Sequence, residues 1–536
     1  MKKRRIMALL LSCALIVGSL LSGCGQQEQK KPGPSQESKT SAVTSKVEES
    51  STEEVKELEP YTVTMWMIAT AAADDEKVLE AVNARIQETL PNTTLEIVKI
   101  ASAEYKDRWN KAMASGEKID MAWSASNINN PIIDVENEVL IPVDELLETY
   151  GQGIVDAVGG WDMLDINRIN GNIYHILSWQ GLVGNRKVFM MNKQLETVMP
   201  SGWLADAQEV FLANQEYTID AKLAMLDKIE EVLAVAKEQG IGTEGMNKGA
   251  LSDVLYPGVV YNDGYRVFVT EKDGVFTVQS WFDNPVYKAY ADKLNEFWKE
   301  GYYRKDIMLL DNSGVKQTED HTVWITNGVA ENYAETLSVS QGSEQVGCLM
   351  MPYNQLTTGF GTGMVFPKSG KNPERTMQVL NLIYTDAELY QLLVYGIEGT
   401  HYTANADGTI TRPASDERTY KGITNWRIGS CINSLPESTA KIGYYEGLLK
   451  AQEDAVVPPL LGFTFSAGDA DVAAEQSNIS ATITEYDWSF FTEDYENRYA
   501  EFCDKLEAAG MDAYMKAFKE ALTKYVTENN LGTVAP

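Results

Sequence analysis

From residue 60 onward the sequence predicts an α/β fold built on a parallel sheet. Two observations carry this. Short strands rich in β-branched and aromatic residues alternate with helices whose apolar residues recur every 3.6 positions, and the spacing is that of right-handed βαβ units. The composition, 44% hydrophobic and 23% charged over 536 residues, adds that the chain is globular and long enough for two or three compact units at about 150 residues each. Thr62-Val63-Thr64-Met65-Trp66-Met67 reads as the first strand. Asp74 then opens a helix carrying Val78, Leu79, Val82, Ile86 and Leu90 on one face, and Pro91 stops it. Leu95 to Ile100 is a second strand, Ala103 to Ser115 a second helix ended by Gly116, and Ile119 to Trp123 a third strand. Ligands of such sheets bind beyond the carboxyl ends of the strands, which directs attention to the loops after Trp66 and Trp123.

Further along, Val188 to Met191 reads as a strand. Asp220 begins an amphipathic helix with Leu223, Leu226, Ile229, Leu233 and Ala236 on one face, closed by Gly240. Tyr265 to Ser280 has the pattern of a hairpin turning at Asp273-Gly274. A helix follows from Pro285 to Gly301. Met364 to Pro367 is a short strand end, and Asn372-Pro373 opens a helix through Leu382 and Ile383, with proline suited to the first turn. The tail returns to helix at Tyr495 to Ala508 and Asp512 to Tyr525. No internal repeat is evident.

The first 24 residues, MKKRRIMALLLSCALIVGSLLSGC, have the form of an export leader: basic Lys2 to Arg5, then an apolar run from Ile6 to Leu21. The run is shorter than the roughly twenty residues a membrane span requires. Leu21-Ser22-Gly23-Cys24 resembles the bacterial lipobox, which implies removal of residues 1–23 as a lipoprotein signal peptide and acylation of Cys24. Residues 24–59 then serve as lipid anchor and tether, because a stretch so poor in large apolar side chains cannot offset the entropy of ordering.

The formal net charge is −31, and about −35 once the basic leader is removed. Such a field repels nucleic acid and anionic lipid, so neither is expected as a partner. Beyond Cys13 and Cys24 only Cys348, Cys431 and Cys503 remain, too few and too scattered for a disulfide framework, and they are expected as buried free thiols. The histidines, His175, His321 and His401, lie far apart, which argues against a metal site.

In the order of its signals the chain resembles family-1 extracellular solute-binding proteins, the lipid-anchored receptors of carbohydrate-type ABC importers. The resemblance rests on Tyr61 to Met67, on Ala114-Ser115-Gly116-Glu117-Lys118-Ile119-Asp120-Met121-Ala122-Trp123, on Met191-Asn192-Lys193 and on Gly363 to Glu374. Tyr395 to Tyr402, with the helical tail, is similar to a subgroup carrying an additional C-terminal domain. The resemblance implies a two-lobe periplasmic-binding-protein-like fold with a hinge and an inter-lobe ligand cleft. The first lobe would be 60–185 plus 358–430, the second 186–357 plus 431–536 with the helical C-terminal region. Glycine is denser at Gly359-Phe360-Gly361-Thr362-Gly363 than a crossover of this family would need. The implied function is capture of an oligosaccharide, without catalysis or cofactor, by a monomer held at the extracytoplasmic face of the cell membrane and serving ABC permease subunits.

A sugar site needs aromatic faces and a few polar groups. The chain has 11 Trp and 26 Tyr against 14 Phe, a bias toward aromatics with a polar tip, which also suits half-buried packing. Trp66 and Trp123 at strand ends, Trp179 before the expected crossover, and Trp281, Trp324 and Trp426 in loops or at element ends are the stacking candidates. Trp109, Trp298 and Trp488 fall within helices and read as core. Asp120, Asn127, Asp263, Glu398 and Arg427 are candidates for hydroxyl contacts, and Thr362 with its flanking glycines for backbone NH groups. An acidic receptor gains nothing at long range from an anionic ligand, which favours neutral sugars over uronates unless a local arginine patch intervenes. Rival readings are a receptor for peptides or other small solutes, a surface glycoside hydrolase using two carboxylates, and a glycan adhesin that does not transport.

Overall fold

The computed structural model describes residues 58–536 apart from 185, 242–245, 310–321, 330, 342, 358, 466–469 and 487–489. The leader, Cys24, most of the tether, His321 and Trp488 lie outside the described residues. β1 (Tyr61–Ile68) leads into α1 (Asp75–Thr89), which buries Val78, Val82 and Ile86 and ends before Pro91. β2 (Thr93–Ile100) and α2 (Ser102–Ser115) follow, and Gly116 closes α2 at φ +67, a left-handed cap that glycine adopts without strain. Next come β3 (Met121–Ser124), β4 (His175–Leu177) and β5 (Lys187–Asn192).

α3 (Ile219–Gln239) starts at Thr218, whose hydroxyl accepts from the Ala221 amide at 3.3 Å. β6 (Val259–Asp263), β7 (Val267–Lys272) and β8 (Val275–Ser280) form an antiparallel meander. Its β7–β8 turn holds Asp273 at φ +52 and Gly274 at φ +78, the paired left-handed residues of a type I′ hairpin. α4 (Pro285–Glu300), β9 (Val323–Asn327), β10 (Gln345–Leu349), β11 (Gly363–Val365) and α5 (Pro373–Thr385) precede α6 (Ala387–Tyr395). The tail contributes α7 (Ala470–Tyr486), α8 (Tyr495–Ala508), α9 (Met511–Glu528) and β12 (Thr533–Val534).

The first sheet has the order β2-β1-β3-β11-β4. It is parallel from β2 to β3 but antiparallel where β11 joins β3 and β4, so the expected parallel sheet is mixed. The reason is topological: β11 enters from a distant crossover and not through a covering helix, which removes the constraint on its direction. The other main sheets are β9-β5-β10, antiparallel throughout, and β12-β8-β7-β6.

Two separate cores result. One gathers Val63 to Leu182 and Met364 to Leu448; the other gathers Phe189 to Met350 and Leu460 to Val526. Cys431 and Leu448 pack into the first, which therefore reaches beyond residue 430. The chain passes between the cores three times, and the three passes lie side by side. Val183–Gly184 pairs with Gln355–Leu356, and Gln355 bridges Val456. Leu356 N donates to Val456 O at 2.9 Å and Thr357 N to Leu182 O at 3.0 Å. This is a two-lobe α/β fold on a three-stranded hinge. The dense glycines nearby serve close packing. A β-carbon on Gly359 would lie 2.5 Å from Asn167 Nδ2, and one on Gly363 2.4 Å from Ile176 O. Among the described residues no helix is long and apolar enough to cross a membrane, and Cys348, Cys431 and Cys503 are free.

Candidate functional site

At the carboxyl edge of the first sheet β11 pairs Gly363 with Ser124, and this register brings Thr362 beside Trp123. Trp123 Nε1 donates to Thr362 Oγ1 at 2.8 Å, and Thr362 Oγ1 donates to Trp426 O at 3.4 Å. Trp426 and Arg427 belong to a single 3-10 turn, Asn425–Arg427, held where the Tyr390 hydroxyl donates to Asn425 O at 2.9 Å. Arg427 Nη1 donates to Ile68 O at the end of β1, at 3.0 Å. The guanidinium carbon lies 4.7 Å from the Trp426 ring and 5.7 Å from that of Trp123, within the range of cation–π attraction. Burial lowers the Arg427 pKa, and its Nε is buried without a hydrogen-bond partner among the described residues. Trp123, Thr362, Trp426 and Arg427, four candidates scattered in sequence, thus form one cluster. Asn127 is exposed in the loop after β3.

In the second lobe a cavity of about 370 Å³ is lined by Tyr256, Tyr265, Trp281, Phe282, Tyr287 and Tyr290, with Ser252, Ser480 and Thr484 among its polar groups. Asn262 organises the aromatics. Its Oδ1 accepts from Trp281 Nε1 at 2.7 Å and from the Tyr265 amide at 3.2 Å, while its Nδ2 donates to the Tyr256 hydroxyl at 3.3 Å. Tyr265 sits at φ +65 with half its surface exposed, a backbone conformation costly for a bulky residue. Lys187, the first residue of β5, stands over the Tyr256 ring of the cavity wall. Lys187 Nζ is 2.8 Å from Asp253 and 4.4 Å from the Tyr256 ring.

The remaining candidates divide into core and surface. Trp66 and Trp179 are 1% exposed, Trp281 2% and Trp123 3%, so none presents an open face as the stacking expectation required. Trp66 and Trp123 lie on the inner strands β1 and β3, and inner strands of a sheet covered on both sides bury their side chains whether or not they end near a ligand edge. Trp66 packs under Arg108, 5.0 Å away, and Trp179 Nε1 donates to Gln452 at 3.0 Å. Trp426 and Trp324 are half-buried; Trp324 Nε1 donates to Gln345 Oε1 at 3.4 Å across the sheet.

Asp120 is taken up by the fold. It accepts from the Tyr61 hydroxyl at 2.6 Å, from the amides of Thr64 and Lys371 at 2.9 and 3.1 Å, and pairs with Lys118 at 2.9 Å. Asp263 pairs with Arg266 at 3.1 Å and accepts from Tyr514, which leaves the neighbouring Asn262 to face the aromatics. Glu398 is exposed on a turn bridged to Tyr402. Trp109 and Trp298 are core, as expected. Sequence reasoning missed Asn262, Tyr256 and Tyr265; the one available signal was the Asn-Asp-Gly turn that Tyr265 ends.

No family model matches the chain. A carbohydrate ABC transporter substrate-binding protein of Streptococcus pneumoniae is 24% identical over 477 residues, spanning 86% of this chain and 90% of its own length. The polygalacturonan/rhamnogalacturonan-binding protein of Bacillus subtilis is 21% identical over 479 residues, spanning 81% and 87%. Among solved structures, the N-glycan transport solute binding protein of Streptococcus pneumoniae superposes with a TM-score of 0.69 at 20% identity, covering 88% of this chain and 100% of that one. The fold is that of solute-binding proteins.

Proposed function

We infer that the chain is the substrate-binding protein of a carbohydrate ABC importer, which captures an oligosaccharide outside the cytoplasm and delivers it to membrane permease subunits. The observation that carries this reading is the Trp123–Arg427–Trp426 stack with Thr362, set at the carboxyl edge of the first sheet and a few residues from the hinge strand Gln355–Leu356. An arginine held between indoles offers donors to sugar hydroxyls in a partly dehydrated setting, where they count for more than in water. At the cavity organised by Asn262, the half-exposed Tyr265 and the half-buried Tyr256 are the rings that offer apolar faces of the kind pyranose rings pack against. Ligand bound between the lobes favours the closed arrangement, and the importer reads that arrangement. The likeness to carbohydrate receptors over most of the chain supports the same reading.

The protein acts as a monomer without catalysis. It is anchored through acylated Cys24 after loss of residues 1–23. The lobes are 60–185 plus 358–448 and 186–357 plus 460–536, the third pass between them running through Val456.

Thermal unfolding of the full chain in detergent tests the reading against a panel: mannose–N-acetylglucosamine, galacturonate oligomers, neutral glucose oligomers, and short peptides as control. Ligand at about a thousand times its Kd stabilises by about 4 kcal/mol, which raises Tm by a few degrees at this size. A rise with one saccharide class and no released reducing ends is expected. A rise with peptides alone would overturn the carbohydrate assignment.

A further inference from the structure

A second cavity, of about 460 Å³, opens on the first lobe against the turn that carries Trp426 and Arg427. Its lining includes Arg412, Arg418, Lys421 and Lys441, with Glu437 as the single carboxylate, in a chain whose net charge is −31. Asp416 and Glu417, on the same loop, are exposed and do not line it. Like charges gathered in one pocket repel one another, and a fold keeps them there at a cost in stability unless something of opposite sign binds.

The cations are poorly compensated. Arg412 is 10% exposed, its Nη1 is 3.1 Å from Glu437, its guanidinium lies 5.3 Å from the Tyr395 ring, and its Nε is buried without a hydrogen-bond partner among the described residues. Arg418 donates only its Nε, to Pro413 O at 2.9 Å. Lys441 stands 4.0 Å over the Tyr444 ring, and neither its ammonium nor that of Lys421 forms a hydrogen bond or ion pair with the described residues. Burial lowers the pKa of Arg418 and of Lys441, and for Arg418 the neighbouring Arg412 lowers it further, with Glu437 acting in the opposite direction. The other walls suit a sugar: the rings of Tyr395 and Tyr445, the hydroxyls of Thr424 and Ser434, and Asn425, whose Nδ2 donates to Tyr445 at 2.9 Å.

We propose that this pocket recognises the carboxylate of an acidic oligosaccharide, with Arg412, oriented by Glu437 and Tyr395, and the unpaired Arg418, Lys421 and Lys441 as its donors. The proposal rests on the carbohydrate-receptor reading and narrows it to uronate-bearing glycans. It reverses the preference for neutral sugars drawn from net charge, because a local cluster outweighs a distant field once ligand is within a Debye length of about 8 Å.

The test is calorimetric titration of the full chain in detergent with trigalacturonate, its fully methyl-esterified form, mannose–N-acetylglucosamine, citrate and inorganic phosphate. Trigalacturonate should bind, its methyl ester at least about tenfold more weakly, since charge-assisted hydrogen bonds are lost. Arg418→Gln with Lys421→Gln should weaken trigalacturonate by about tenfold or more and leave the ester unchanged. Glu437→Gln, which keeps an amide oxygen to orient Arg412 at the position now 3.1 Å away while removing the competing negative charge, should tighten it, an effect that damage to the fold would not produce. Equal affinity for ester and acid, no effect of these variants on the acid, or an equal response to citrate or phosphate would each overturn the proposal. Binding of the neutral disaccharide alone would overturn it and leave the receptor reading standing, whereas silence from every saccharide would remove both.

Discussion

Replacing Arg427 by Met separates a binding role from a structural one, because the structural terms nearly offset. The substitution removes the hydrogen bond from Nη1 to Ile68 O at 3.0 Å, worth about 1.5–3 kcal/mol for a charged donor. It also removes the stacking on Trp426 and Trp123, about 0.5–2 kcal/mol. In the other direction it deletes an Nε that is buried without a partner among the described residues, relieving about 1–3 kcal/mol, and it places an unbranched apolar side chain between two indoles. The net change in stability is about 1–2 kcal/mol, a Tm shift of a few degrees at most. A ligand hydroxyl deprived of its guanidinium donor loses about 1.5–3 kcal/mol, or roughly 10- to 150-fold in Kd. Differential scanning fluorimetry and calorimetric titration with the saccharide identified by the panel measure the two effects on one preparation. A collapse of Tm by ten degrees or so with affinity unchanged would refute the reasoning and make Arg427 a strut between β1 and the Trp426 turn.

Asn262→Ala leaves the buried Trp281 Nε1, now 2.7 Å from its acceptor, without one; a loss of about 1–3 kcal/mol is expected, with a red shift in tryptophan emission as Tyr265 loosens. Lys222 is buried and donates to Pro257 O at 2.6 Å; burial lowers its pKa from 10.5 to about 7. The unfolded chain therefore holds more protons between those values, stability should rise with pH through that window, and Lys222→Met should flatten the rise in denaturant titrations. Asp134 behaves oppositely: burial raises its pKa from 3.8 to about 6, against the lowering effect of the Trp109 hydrogen bond. The folded chain holds the extra proton, so stability should fall as pH rises from about 4 to 6, and Asp134→Asn should abolish that slope. Gly363→Ala would set a β-carbon 2.4 Å from Ile176 O, and a fall in Tm of several degrees is expected because backbone cannot yield as a side chain can.

Features written in a few consecutive residues could be read from the chain before the fold was known. The α2 terminus at Gly116, the Asp273-Gly274 hairpin and the Asn372-Pro373 helix start each depend on local sterics and one capping bond, which neighbours in sequence decide. The direction of β11 depends on where its partners lie, which no window of sequence contains. The same holds for the site. Trp123, Thr362, Trp426 and Arg427 could be named singly, yet their assembly follows from β3 and β11 pairing across 239 residues between Trp123 and Thr362. Trp66 was expected to be open because it ends a strand and Trp179 because it precedes a crossover, but burial is set by what covers each of them. The residue beside Asp263 is the useful one because Arg266 and Tyr514 take up the carboxylate, and a carboxylate near a cation is claimed first.

The three passes between the lobes have a mechanical consequence. A single connecting strand would let one lobe twist, tilt and slide relative to the other. Three strands laced by Leu356–Val456, Thr357–Leu182 and Val456–Asn354 hydrogen bonds make a ribbon that flexes across its narrow dimension and resists shear within its plane. The lobes then share essentially one coordinate of motion. Any substitution that stiffens this ribbon, however far from the sugar, changes the fraction of molecules able to close and shifts apparent affinity by that fraction, with every ligand contact intact.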